Sequence, residues 1–340
     1  MENIHGGDIY RNQVQLDFSV NMNPLGVPKA VIRKLQEAVN VVHTYPDIQA
    51  EALYHSVANM LEIQEEKILF GNGASELFMA IIHGISPKRI VIPVPSFYGY
   101  LHAAESSNAE IIYCGQTRET LLKALTEETD LLFLANPNNP TGETRGKAEM
   151  KALLSHCKER GIVVVLDECF VEFCEEDLSM LTEIMEYPNL VVVRAFTKLF
   201  SIPGVRLGYL VCGNVKLLGK IRRQIPEWNL SVFAQKAGSA CAKEQEFVRK
   251  TALFVKKERE YLEEGLQKLG IRTFPSKANF LLVYSRKPLY EELLKRGILI
   301  RDCRNFRGLT KGYYRIAVKT REENEALLRT IGEIQWKEEK

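Results

Sequence analysis

The chain has 340 residues, 46% of them hydrophobic and 26% charged, enough to build a large and a small domain around sizeable cores and ordinary for a water-soluble protein. Its 45 basic and 43 acidic side chains are interspersed and leave a formal charge of +2, so no basic stripe suggests nucleic acid and the expected partner is a small molecule. No apolar run approaches the roughly twenty residues that span a bilayer, and the first ten residues lack the basic start and apolar stretch of an export signal. The seven cysteines are scattered without Cys-x-x-Cys spacing, which fits reduced thiols in a cytoplasmic protein and suggests no metal site.

In chain order, His5-Gly6-Gly7-Asp8 carries paired glycines that disfavour regular structure and mark a flexible arm or turn. Leu16–Gly26 reads as a short extended piece closed by Asn, Pro and Gly, and VPKAVIRKLQEAV then repeats its apolar residues at helical spacing. Tyr45-Pro46-Asp47 is a loop ahead of a second helix, AEALYHSVANML. Gly71-Asn72-Gly73 runs into the helical ASELFMAIIHGI, so the backbone N–H groups of Gly73, Ala74 and Ser75 form a ready anion site. KRIVIPVP is a buried strand with the aromatics Phe97, Tyr98 and Tyr100 at its end.

The strands EIIYC, DLLFLAN, GIVVVLDE and NLVVVRAF alternate with helical segments such as EMKALLSHCKER, the pattern of a mainly parallel sheet with helices on both faces. Three of them end in reactive groups: Asn139 in NPNNPTG, Asp167, and Thr197-Lys198 with Arg206 one short loop later. The crevice outside the carboxyl ends of such strands is where open α/β sheets bind ligands. An amine drawn out of water there loses its proton more easily and becomes a nucleophile. RLGYLVC reads as a further strand. One long charge-laced helix, from GSACA to LQKLG, then leads to a small α/β layer in which ANFLLVYS, YEELLKRG, ILIRDC and YYRIAVK alternate as strand, helix, strand, strand. Taken singly, Arg301 and Arg315 on those strands read as edge charges, His5 as an exposed side chain and Phe97 as core packing. The terminal Trp336–Lys340 segment reads as a solvated helix end.

Taken together and in order, GNGASE, NPNNPTG, LDECF, Thr197-Lys198 and the arginine of IPGVRLGYL resemble the motifs of the fold type I pyridoxal-phosphate aminotransferase superfamily, over essentially the whole chain. The resemblance implies an α/β fold with a large domain over 45–232, built on a mainly parallel seven-stranded sheet. Residues 233–340 with the arm 1–44 would form the smaller domain. It also implies pyridoxal 5'-phosphate as cofactor. Lys198 would join the cofactor aldehyde, and Asp167 would pair with the pyridine nitrogen so that the ring can take up electrons from a bond at the substrate's α-carbon. Asn139 would donate to the phenolic oxygen, Phe97 would lie against the ring, and Gly73, Ala74, Ser75, Thr197 and Arg206 would hold the phosphate. In the superfamily the tyrosine matching Tyr45 reaches the cofactor of the partner subunit, so a homodimer is implied.

The HGG start followed by DFSVNMNPLG is similar to the threonine-phosphate decarboxylases of the cobalamin pathway. That branch implies a small phosphorylated amino acid held by His5, Gly6, Asn21 and Asn139, with Arg315 on its carboxylate and Arg301 on its phosphate. Tyr100 is a further candidate near the substrate. Phe170 stands where many aminotransferases have a tyrosine, which favours the decarboxylase branch, and Ala195 stands where relatives often place a hydroxyl on the cofactor phosphate. The expected reaction is decarboxylation of O-phospho-L-threonine or O-phosphoserine. The alternative within the superfamily is histidinol-phosphate aminotransferase, which requires a 2-oxo acid. A non-catalytic, cofactor-sensing regulator on this fold would need an attached DNA-binding module, for which the chain leaves no room.

Overall fold

The Val/Ile/Leu runs form the centre of a seven-stranded sheet in the computed structural model, which describes residues 5–334. Strands Leu131–Ala135 and Leu190–Ala195 are buried along their whole length, because successive side chains point to opposite faces and both faces are covered. Leu132, Leu134, Val164, Leu166 and Val192 enter one hydrophobic cluster, whereas Leu131, Phe133, Val165, Val191 and Val193 enter the other. Burying each such side chain contributes roughly 1.5–3 kcal/mol.

From edge to edge the strands are Ile68–Gly71, Gly208–Cys212, Leu190–Ala195, Val163–Asp167, Leu131–Ala135, Arg89–Val94 and Glu110–Gly115. Gly208–Cys212 runs antiparallel to both neighbours, and the remaining neighbours pair in parallel. This reversed strand has a consequence for the site. The chain leaves the rim through Lys198, turns, and re-enters the sheet at once, which keeps Arg206 beside the rim it has just left.

Helices Ala74–Ile85 and Tyr98–Ala104 supply Leu77, Phe78, Ile81, Tyr100 and Ala103 to one core, and Lys147–Glu159 supplies Met150, Leu154 and Cys157 to the other. The single long helix expected after Gly208–Cys212 is two helices, Val232–Cys241 and Gln245–Lys268. Glu244 leaves helical geometry at φ −95°, ψ 43°. The two pieces serve different neighbours. Ala234 and Ala237 of the first share a cluster with Val31 of Lys29–Val39, whereas the second carries Val255 in that cluster and Leu262 and Leu266 in another.

That other cluster underlies a four-stranded sheet of order Arg301–Asp302, Tyr313–Ala317, Phe280–Tyr284, Arg272–Thr273, antiparallel throughout. The expected strand ILIRDC is divided at Ile300. Ile298–Leu299 pairs in parallel with Leu16–Asp17, and only Arg301–Asp302 joins the four-stranded sheet. Phe18 extends the junction, donating to the Leu299 carbonyl and accepting from the Ala317 N–H. The N-terminal segment is thereby stitched to the strands that lead to Arg301 and carry Arg315. Trp336–Lys340 lies outside the described residues. Among the described residues no helix is long and apolar enough to cross a membrane.

Candidate active site

Three adjacent parallel strands, Leu131–Ala135, Val163–Asp167 and Leu190–Ala195, deliver Asn139, Asp167 and Lys198 to one rim. Below it, a cavity of about 330 Å³ is lined by these three residues and by His5, Gly6, Asn21, Ala74, Ser75, Phe97, Thr197, Arg206, Arg301 and Arg315. The expected substrate and cofactor residues thus converge, except for Gly73, Tyr45 and Tyr100. Gly73 stands behind Arg206 instead of facing the cavity. Its φ is +77°, and a Cβ there would lie 2.4 Å from the Arg206 guanidinium, so glycine is required for the arginine to close on the helix start. Tyr45 is 82% exposed, 5.2 Å from the Trp228 ring, and away from this cavity.

Lys198 sits on the short helix Phe196–Leu199, directly after its strand. Its carbonyl accepts from the Asn23 N–H, and the Asn23 side chain donates to the Leu199 carbonyl at 2.7 Å, so DFSVNMNPLG braces the turn that presents the lysine. Burial draws the amine's pKa down to about 8, and the nearby Arg315 adds to the effect. The amine therefore deprotonates at mildly alkaline pH, well below the ordinary lysine range. Arg194, four residues earlier, donates to the buried Glu168 through Nε and NH2, at 3.1 and 2.8 Å. This pair ties the strand end that carries Lys198 to the one that carries Asp167.

Asp167 is buried, which pushes its pKa up, but both carboxylate oxygens are held. The Cys169 N–H donates to Oδ1 at 2.9 Å and the Tyr100 hydroxyl donates to Oδ2 at 2.5 Å. Tyr100 is therefore not a substrate neighbour. It is fully buried behind the carboxylate, stacked on Phe133 at 5.2 Å, and does not reach the cavity wall. The cause is helical spacing: Phe97 precedes Tyr98–Ala104 and faces the cavity, while Tyr100 turns into the core of that helix.

Arg315 is also buried, with its pKa drawn down to about 10 by burial. It donates through NH1 to Asn139 Oδ1 at 2.6 Å and through NH2 to the Ser19 carbonyl at 2.9 Å. The first bond orients the Asn139 amide, leaving its NH2 group to donate elsewhere. Arg301 and Arg315 are direct cross-strand partners. Like charges so placed are unfavourable unless an anion offsets them. His5 lies above, with its pKa lowered by partial burial and by Arg301.

Among the described residues that line it, the cavity has the cations Lys198, Arg206, Arg301 and Arg315 against one carboxylate, Asp167. Asn21 Oδ1 and Arg315 Nε are buried without a hydrogen-bond partner among the described residues. These features fit a polyanionic cofactor and substrate. Arg206, Thr197 and the start of helix Ala74–Ile85 suit a phosphate, Asn139 and Asp167 suit the two polar edges of a pyridine ring, and Lys198 suits an aldehyde.

The profile of class I and II aminotransferases matches residues 13–331. The chain belongs to that family. It is a pyridoxal-phosphate-dependent enzyme of the aminotransferase superfamily, and the α/β architecture is that of fold type I. The threonine-phosphate decarboxylase of Salmonella typhimurium is 33% identical over 327 residues, covering 93% of this chain and 90% of that protein. The crystal structure of L-threonine-O-3-phosphate decarboxylase from Porphyromonas gingivalis superposes with a TM-score of 0.87 at 25% identity, covering 93% of this chain and 98% of that one. The histidinol-phosphate aminotransferase structure from Clostridium acetobutylicum does so equally well, at 0.87 and 33% identity with the same coverage.

Several wall residues of this aminotransferase-family site carried no sequence signal. Ser19, Cys169 and Phe306 line the cavity, and Tyr100 supports Asp167 from behind. For Phe306 the reason is position, since it lies in the loop between Arg301–Asp302 and Tyr313–Ala317 with no periodic neighbour to mark it. For Ser19 the clue was its place within DFSVNMNPLG, two residues before Asn21. Asn279 donates to the Asn21 carbonyl at 2.9 Å behind the cavity wall, and Trp228 packs on Tyr45 outside the cavity.

Proposed function

We propose that this chain decarboxylates O-phospho-L-threonine, or a close relative such as O-phosphoserine, as a cytoplasmic homodimer serving cobalamin biosynthesis. The observation that carries the reading is the cross-strand pair Arg301 and Arg315, both buried, facing one cavity with Lys198 and roofed by His5. Two guanidinium forks at different places in the wall favour a ligand with an anion at each end. Phe170 on the same wall agrees with the decarboxylase branch.

In this reading Arg315 takes the carboxylate end of the substrate, while Arg301 and His5 take the phosphate. Asp167, held by Tyr100 and the Cys169 N–H, would keep a proton on the ring nitrogen of the bound cofactor, and Asn139 would donate to its ring oxygen. Bound pyridoxal phosphate supplies the electron sink for the pair released from a bond to the α-carbon. With the carboxylate lost as carbon dioxide, the Lys198 ammonium, its pKa drawn down to about 8 in the cofactor-free chain, would be suited to return a proton to that carbon. The homodimer is supported by the exposed apolar side chains Val39, Val42, Tyr45, Ile48 and Trp228, of which Tyr45 and Trp228 are in ring contact at 5.2 Å. Tyr45 would enter the partner's site from there.

Histidinol-phosphate amino transfer is the second reading, favoured by the Clostridium acetobutylicum likeness. It uses the same cofactor residues and a phosphorylated substrate. Purified protein loaded with cofactor and given O-phospho-L-threonine without any 2-oxo acid separates the two. Repeated turnover with carbon dioxide release is expected. No release, followed by amino transfer from histidinol phosphate once 2-oxoglutarate is added, would establish the second reading instead.

A further inference from the structure

The segment DFSVNMNPLG contributes a buried residue to which the reaction above assigns no role. Ser19 joins separate parts of the site. Its hydroxyl donates to Asp17 Oδ1 at 2.6 Å and accepts from the Gly7 N–H at 2.8 Å. Its carbonyl accepts from Arg315 NH2 at 2.9 Å. The arm lies directly against it, since a Cβ on Gly6 would fall 2.4 Å from the Ser19 carbonyl oxygen. Ser19 itself is anchored: Phe18 is bonded on both sides, to Leu299 and Ala317, and the Ser19 N–H donates to Asp17 Oδ1 at 2.8 Å.

The direction of these bonds matters. With its one hydroxyl hydrogen committed to Asp17, Ser19 presents lone pairs to the arm and acts there as an acceptor. The same residue therefore holds the arm by its side chain and Arg315 by its backbone. His5, two residues from the Gly7 contact, lies 6.2 Å from the Phe97 ring and 5.9 Å from the Tyr98 ring, at the edge of the cavity.

We propose that Ser19 is a positioning residue that seats the His5–Gly7 arm against the Arg315 end of the site, so that the arm closes over a substrate held at both ends. This rests on the two-anion reading above. Loosening the arm then weakens hold on the phosphorylated end and leaves the cofactor residues in place, so the effect falls on KM more than on kcat.

The test uses the full-length, cofactor-loaded protein with Ser19→Ala, His5→Ala and the double variant. KM for O-phospho-L-threonine is expected to rise roughly three- to tenfold in Ser19→Ala, the range of one hydrogen bond, with a smaller change in kcat. If Ser19 acts through the arm, the double variant keeps the KM of His5→Ala alone. Amide hydrogen exchange without substrate reads the seat directly: the peptide containing Gly6 and Gly7 exchanges faster in Ser19→Ala, while peptides from Leu190–Cys212 exchange as in the parent. Gly6→Ala, which pushes the arm away and leaves Ser19 intact, is expected to give the same KM and the same exchange pattern. Additive KM effects in the double variant, or arm exchange unchanged by both Ser19→Ala and Gly6→Ala, would overturn the proposal. A parent that does not turn over O-phospho-L-threonine defeats the decarboxylase reading instead, and the exchange measurement still decides whether Ser19 seats the arm.

Discussion

Replacing Lys198 with methionine should stabilise the cofactor-free protein by an amount that depends on pH. The amine is buried, and loss of hydration, with Arg315 close by, takes its pKa from 10.5 to about 8. Below pH 8 the group is protonated in both folded and unfolded chains, and the fold carries the whole penalty of a buried cation. Above pH 10.5 it is neutral in both and the penalty is gone. The parent therefore gains stability relative to Lys198→Met as pH rises from 8 to 10.5. At about 1.36 kcal/mol per pH unit, that interval corresponds to about 3 kcal/mol at pH 7, falling to below about 1 kcal/mol at pH 10.

Methionine suits the comparison because it is unbranched, similar in length and uncharged. The difference between the two proteins is the quantity to follow. Buried cysteines such as Cys212, pushed up to about 11 by burial, titrate in the same range with the opposite sign and cancel between variants. Urea unfolding of both cofactor-free proteins at pH 7 and pH 10, at one protein concentration, measures it. A stability gap equal at the two pH values, or a methionine variant less stable at pH 7, would refute the assignment of Lys198 as a buried, destabilised amine.

Tyr100→Phe removes the donor to Asp167 Oδ2 and leaves the ring stack on Phe133 intact. The affinity for pyridoxal phosphate, followed by absorbance titration, should fall roughly tenfold, the low end for a hydrogen bond to a charged group; an unchanged affinity and unchanged kcat would make the contact incidental. Arg301→Ala should raise KM for the phosphorylated substrate by roughly 100-fold, as expected for loss of a charge-assisted pair of bonds, and far more than Asp167→Ala does. Equal KM in variant and parent would reduce Arg301 to an edge charge.

Much of the site was legible because its groups are tied to local pattern. Apolar strands of four to six residues, each ending in a polar punctuation, mark where a parallel sheet presents its carboxyl rim, and Asn139, Asp167 and Lys198 fall at three such ends. The glycine at position 73 was likewise readable as part of a turn into a helix. Tyr100 was misplaced because helical phase decides whether an aromatic three residues past Phe97 meets ligand or core. The break between Cys241 and Gln245 left no mark, since neither proline nor glycine interrupts the periodicity there. The edge strand Ile68–Gly71 was too short to stand out from the turn that follows it.

By itself the order of amino acids determined the strand and helix types and the reactive residue at each strand end, because each depends on neighbours within a few positions, and the class of cofactor followed from the family resemblance of those motifs taken together. Tertiary structure alone decided that the ILIRDC strand divides between two partners, that Arg301 stands opposite Arg315, that Tyr100 holds Asp167, and that Ser19 links the arm to Arg315. Those contacts join residues far apart in the chain, and their geometry is set by how the sheets and helices pack, which no local window of sequence contains.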